Sequence, residues 1–162
     1  MTARLPARLL CMLCAVLPLT LGAAPAGTVP LSAFPRERIA VETRASFRRH
    51  LFEAWRAETP QTREQGFMFV EDREVRADQA MIFIYDPPQY VAMWMKNTPL
   101  PLSVAFVDGE GRILNILDME PHTLDQHMAA GPARYALETH KGWFAQRRIK
   151  PGDKVAGLPK PK

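Results

Sequence analysis

LSVAFVDGEGRILNIL, residues 102–117, sets the fold class. Its two apolar runs, 102–107 and 112–117, flank the loop Asp108-Gly109-Glu110-Gly111. Runs of this length, joined by a short loop rich in glycine, pair as a β-hairpin.

Immediately upstream lies VAMWMKNTPLP, residues 91–101. Alternation puts Val91, Met93 and Met95 on one face of a strand and Ala92, Trp94 and Lys96 on the other. Pro99 has no amide to donate and restrains Thr98 to extended backbone, while Asn97 tolerates a tight or left-handed turn, so the strand ends near Asn97. The Lys96-Asn97-Thr98 corner is thus a rigid strand end beside an aromatic, a place that suits a binding site. The plain alternative has Trp94 at the rim of a core, Lys96 solvated, and Asn97 and Thr98 only shaping the turn.

Working outward, residues 80–85 read as a buried strand stopped by Asp86-Pro87-Pro88, and the charged stretch 71–79 as a surface loop. Thr59 as N-cap, Pro60 at the first helical position and Gly66 at the end frame a short helix, followed by Phe67, Met68 and Phe69 as an apolar anchor. Residues 50–57 fit helix or strand by periodicity. As a strand they place Phe52 and Ala54 on one face and Leu51, Glu53 and Trp55 on the other. Residues 38–43 alternate as a short strand through Ile39 and Val41. Downstream, 120–132 is irregular and polar. Residues 135–139 form a strand with Glu138 opposite Tyr135 and Leu137. One or two helical turns at 143–148 and a last strand at 154–156 complete the chain. Many short strands with brief helices predict an α+β, mostly β domain, a single compact β-sandwich or barrel-like unit.

The N-terminus carries a targeting signal. Arg4 and Arg8 precede an apolar run at 9–21, and Gly22-Ala23-Ala24 supplies small residues for cleavage, the pattern of a secretory signal peptide. The expected division is a signal peptide at 1–24, a linker rich in small residues and proline at 25–36, one β-rich domain at 37–158 and a tail at 159–162. The expected location is periplasmic or secreted. Both cysteines, Cys11 and Cys14, fall in the signal segment, so the remaining chain of about 138 residues has no disulfide and must be held by packing. Loss of Arg4 and Arg8 lowers the formal net charge from +4 to about +2, which is no nucleic-acid footprint. The mature chain has no membrane span either. The basic C-terminus, with Lys154, Lys160 and Lys162, has at most a weak attraction for anionic envelope polymers.

WMKNTPLPLSVAFVDGEGRI, residues 94–113, closely resembles the signature of domain-of-unknown-function family 192, small bacterial and archaeal proteins. Thr59-Pro60 through Gly66-Phe67-Met68-Phe69, Ala80-Met81-Ile82-Phe83, and the closing Ala136-Leu137-Glu138, Gly142, Ile149 and Gly152-Asp153-Lys154-Val155 resemble further blocks of that family, in the same order. The likeness covers roughly residues 50–156. It implies a compact, mostly β domain, often exported, with 50–57 as a strand; it implies no mechanism. Two positions depart from the family: Ser103 stands where an Asp is usual, and Val70 where a basic residue is usual.

Three groupings carry possible chemistry. Trp94, Lys96, Asn97 and Thr98, with Glu138, offer an aromatic face, an ammonium, an amide, a hydroxyl and a carboxylate to a small anionic or carbohydrate ligand. His122 and His127 lie in a loop with Asp118, Glu120 and Asp125, ligand types that suit a divalent metal, but the spacing matches no standard zinc motif. Ser103 has no nucleophile-elbow context and reads as an ordinary strand serine. The leading expectation is an exported, envelope-associated binding or accessory domain for a small-molecule, saccharide or protein ligand, with no cofactor. The alternatives are a small enzyme on envelope saccharides, using the Lys96-Asn97 corner, and a metal-binding protein.

Overall fold

The computed structural model describes residues 25–160. The expected signal segment, with Cys11 and Cys14, lies outside them. Nine strands and two short helices follow one another: β1 (Arg36–Glu42), β2 (Arg49–Ala57), α1 (Pro60–Gln65), β3 (Gln79–Gln89), β4 (Ala92–Met93), β5 (Leu102–Val107), β6 (Ile113–Met119), β7 (His127–Met128), β8 (Ala133–His140), α2 (Trp143–Gln146) and β9 (Lys154–Ala156). Seven strands form one curled sheet in the order β6-β5-β8-β3-β2-β1-β9, and β4 and β7 form a separate ribbon. Of the two expected architectures, the barrel-like one is present. Among the described residues no helix is long and apolar enough to cross a membrane.

The middle of the sheet, residues 79–85 of β3 and all of β5, is buried on both faces, which explains why these stretches read as continuous apolar runs rather than alternating ones. On the inner face of the curl, Ile39, Val41, Phe52, Ile82, Leu137 and Trp143 pack together. On the outer face, Trp55, Met81, Phe83, Val104 and Phe106 pack under the connecting segments.

The curl nearly closes. Val155 N–H donates to the Gly111 carbonyl at 2.7 Å and Ile113 N–H to the Asp153 carbonyl at 2.9 Å, so β9 meets the start of β6 at one end. Gly111 has φ +81°, and a Cβ there would lie 2.6 Å from the Val155 carbonyl oxygen. Only glycine allows that approach.

All pairings are antiparallel except β2 with β3, which are parallel. Parallel neighbours need a crossover, and residues 58–78, including α1, supply it over the outer face. Thr59 caps α1 by accepting from Thr62 N–H, with Pro60 in the first turn and Gly66 at the end, as expected.

Four expectations need correction. The strand at 80–85 does not stop at Asp86; β3 continues through Pro87 and Pro88 to Gln89. The β2 ladder ends at Phe83, and pairing with β8 lapses between Ile84 and Gln89, so no ladder there needs the missing proline amides. The strand expected at 91–95 is only the two-residue β4. Its alternation holds, with Val91, Met93 and Met95 buried and Ala92, Trp94 and Lys96 exposed. The stretch 25–36, expected as a linker, docks on the domain. Val29 exchanges two hydrogen bonds of 2.7 Å with the Gln65 side chain, Arg56 N–H donates to the Pro35 carbonyl, and Phe34 is buried. At the other end Pro159 is buried and accepts from the Tyr135 hydroxyl, so the packed unit extends one residue into the expected tail.

Candidate functional site

β8 lies between β5 and β3, and alternation along it turns Ala136 and Glu138 to the outer face. Glu138 sits beside Met81 of β3 and Val104 of β5 and is 3% exposed. Among the described residues nothing hydrogen-bonds or ion-pairs to its carboxyl. Burial alone pushes its pKa up to about 8, because the charged form loses its water and gains no partner.

The crossover leaves a cavity of about 200 Å³ above this carboxyl. Arg63, Phe67, Phe83, Tyr85, Trp94 and Glu138 are among the residues that line it. Gly66 makes the fit possible: it has φ +50°, and a Cβ there would press on the Phe83 ring at 3.2 Å. The Tyr85 hydroxyl is held well above its ordinary pKa by burial, then by the negative field of Glu138, and it donates to the Met93 sulfur at 3.6 Å. Arg63 stacks its guanidinium over the Tyr85 ring at 5.3 Å and donates to the carbonyls of Glu58 and Ile84. It also lines a larger cleft of about 480 Å³ with Arg56, Glu58, Thr59 and Thr62. That cleft is the bigger depression, but its walls are engaged: Arg56 pairs with Glu37 and Glu58. The smaller cavity is bordered by a buried carboxyl that, among the described residues, has neither a hydrogen bond nor an ion pair.

Of the residues singled out in the sequence, Trp94, Thr98 and Glu138 line this cavity, with Trp94 39% exposed. Lys96 and Asn97 do not. The Lys96 ammonium lies over the Trp94 ring at 5.1 Å, and Asn97, at φ +54°, uses its carbonyl to accept from Phe69 N–H at 2.8 Å. Thr98 is buried; its hydroxyl donates to the Lys96 carbonyl, and its own carbonyl accepts from His122 N–H. The corner therefore ties the end of the crossover to the 120–127 loop and holds Trp94 at the mouth. His122 is exposed and His127 half-buried, with its Nδ1 3.1 Å from the Asp125 carbonyl. Among the described residues no group of three or more His, Cys, Asp and Glu side chains is placed to hold a metal ion.

Ser103 is fully buried and its hydroxyl is committed: it donates to Asp118 at 2.5 Å and accepts from Gly142 N–H at 2.8 Å. This position steadies the turn into α2 and is no nucleophile. Val70, the other departure, is buried in the outer-face core. Arg63, Phe67, Phe83 and Tyr85 were not picked out from the sequence as site residues. The signal available for Tyr85 was a hydroxyl inside an otherwise apolar buried run.

The fold recurs in solved structures. A proposed transcription regulator from Sinorhizobium meliloti is 35% identical, with a TM-score of 0.72 over 77% of this chain and 97% of the other. A protein of unknown function from Novosphingobium aromaticivorans is 36% identical, with a TM-score of 0.73 over 83% of this chain and 93% of the other. No curated protein matches the sequence. Residues 41–157 match the family model DUF192, described as an uncharacterized ACR, and the chain belongs to that family.

Proposed function

We propose that the protein is an exported, envelope-associated binding domain whose cavity takes a small ligand that presents an ammonium or a hydroxyl to Glu138. The observation that carries this reading is the buried carboxyl that borders a cavity and has no partner among the described residues. A fold does not leave a carboxyl so placed for stability's sake, since its desolvation is uncompensated. The aromatic walls, Phe67, Phe83 and Tyr85, with Trp94 at the mouth, suit a cation or a sugar face. The leader at residues 1–24 supports export.

The test is a thermal-shift and calorimetric screen of small amines and saccharides against wild type and Glu138→Gln. The expected result is a ligand that stabilises wild type and not the variant; an ammonium ligand releases a proton as it binds below about pH 8, because it draws Glu138 into its charged form. A screen in which no compound at millimolar concentration distinguishes the two proteins sinks the reading.

The enzyme alternative is favoured by the same group rather than by Lys96 and Asn97. A carboxyl held up to about 8 carries its proton at neutral pH and suits a general acid. Hydrolysis of any saccharide in the screen, lost in Glu138→Gln, distinguishes it from simple binding.

A further inference from the structure

The turn between β1 and β2 is built to push one ring outward. Buried Thr43 organises it: its amide donates to the Arg48 carbonyl, its carbonyl accepts from Phe47 N–H, and its hydroxyl meets Ser46 at 2.6 Å and accepts from Arg48 N–H. Phe47, at φ +51°, is left 93% exposed at the tip.

The surface around that ring is basic. Arg44, Phe47, Arg49 and Lys154 line one shallow groove, and Arg49, His50 and Arg147 line the next. Lys150 joins them through Asp153, whose two carboxyl oxygens accept from Arg44 N–H and Lys150 N–H, each at 2.9 Å. Of the acids at this end, Asp153 is buried in that bracing role, Glu42 pairs with Arg49, and Asp78, which also lines the second groove, pairs with Arg76. Among the described residues Arg44, Arg48, Arg147, Lys150 and Lys154 make no ion pair. The local field is felt by His50, held below its ordinary pKa by burial and then by Arg147 and Arg48. Like charges gathered at one end repel one another, and an anionic partner relieves that repulsion.

We propose that this end, with the tip at residues 43–49 leading, docks on the face of an anionic lipid bilayer. The arginines pair with lipid phosphates and Phe47 enters the boundary between headgroups and acyl chains. The exposed ring selects the bilayer over a soluble polyanion, because only the bilayer offers an apolar layer directly beneath its charges. A second copy of the chain is disfavoured by the repulsion of like surfaces.

The chain from Pro25 onward contains every described element of the fold and is the protein to test, by flotation with phosphatidylcholine vesicles and with phosphatidylcholine–phosphatidylglycerol vesicles. Binding is expected only on the anionic vesicles, weakening with added salt. Arg48→Gln with Arg49→Gln should weaken it about fivefold per arginine, and Phe47→Asn, which keeps the left-handed backbone, roughly tenfold. Unchanged melting temperatures in both variants exclude unfolding as the cause. Equal binding to neutral vesicles, no binding to anionic ones, insensitivity to both variants, or capture by heparin or single-stranded DNA without vesicle binding each overturns the proposal. None of these outcomes depends on the Glu138 cavity.

Discussion

Asp153 and Glu138 are both buried carboxyls, 7% and 3% exposed. At Asp153 each oxygen accepts a backbone N–H, from Arg44 and from Lys150, and the carboxyl stitches the β1–β2 turn to the loop before β9. At Glu138 neither oxygen has a hydrogen bond or ion pair among the described residues, and the side chain borders a cavity instead. The contrast separates burial that builds from burial that is tolerated. A charge with two amide partners contributes to stability; one with none detracts from it, and is kept where something other than stability is served.

The sharpest way to break this comparison is to remove the two groups. Asp153→Ala should cost about 3–4 kcal/mol in urea unfolding at neutral pH, since two charge-assisted hydrogen bonds are lost and two amides are left buried. A loss below about 1 kcal/mol would remove Asp153 from its structural role.

Glu138→Gln should act in the opposite direction, with a marked dependence on pH. The folded pKa of about 8 lies above the ordinary 4.5, so between those values the folded state holds more protons than the unfolded one. Wild-type stability is therefore full below about pH 4.5 and falls as pH rises through about 8. The variant, which has no such proton, should be more stable than wild type by about 2–4 kcal/mol at pH 8 and show no gain at pH 4. Urea titrations across that range decide it, and a flat difference between the proteins would mean that Glu138 finds a partner when it ionises.

The smallest effect tests a third buried polar group. Ser103→Ala should cost about 1–2 kcal/mol, from the hydrogen bonds to Asp118 and Gly142.

How much of this was legible depends on how local each feature is. The β5–β6 hairpin and the capped helix α1 were readable because alternation, turn glycines and caps act within a few residues. Glu138 was assigned to the correct face of its strand by parity alone. The course of β3 beyond Pro87 was not readable, because tolerance for proline depends on whether a neighbouring strand is there to be denied a donor. Nor was the division of the WMKNT corner, which sends Trp94 and Thr98 to the cavity and keeps Lys96 and Asn97 outside it. Arg63 and Tyr85 were missed for the same reason: they reach the cavity only because a parallel pairing 26 residues apart in sequence, Glu53 with Gln79, folds the crossover back over the sheet.

The contact at Gly111 has a consequence in time. It brings together a strand from the beginning of the domain, a hairpin from its middle and the last three-residue strand, so the sheet's ends meet only after almost the whole chain is available. Contacts so distant in sequence form late and make folding slow. Until residues 154–156 are in place, the edges of β1 and β6 that β9 joins stay open, and open strand edges invite wrong pairings.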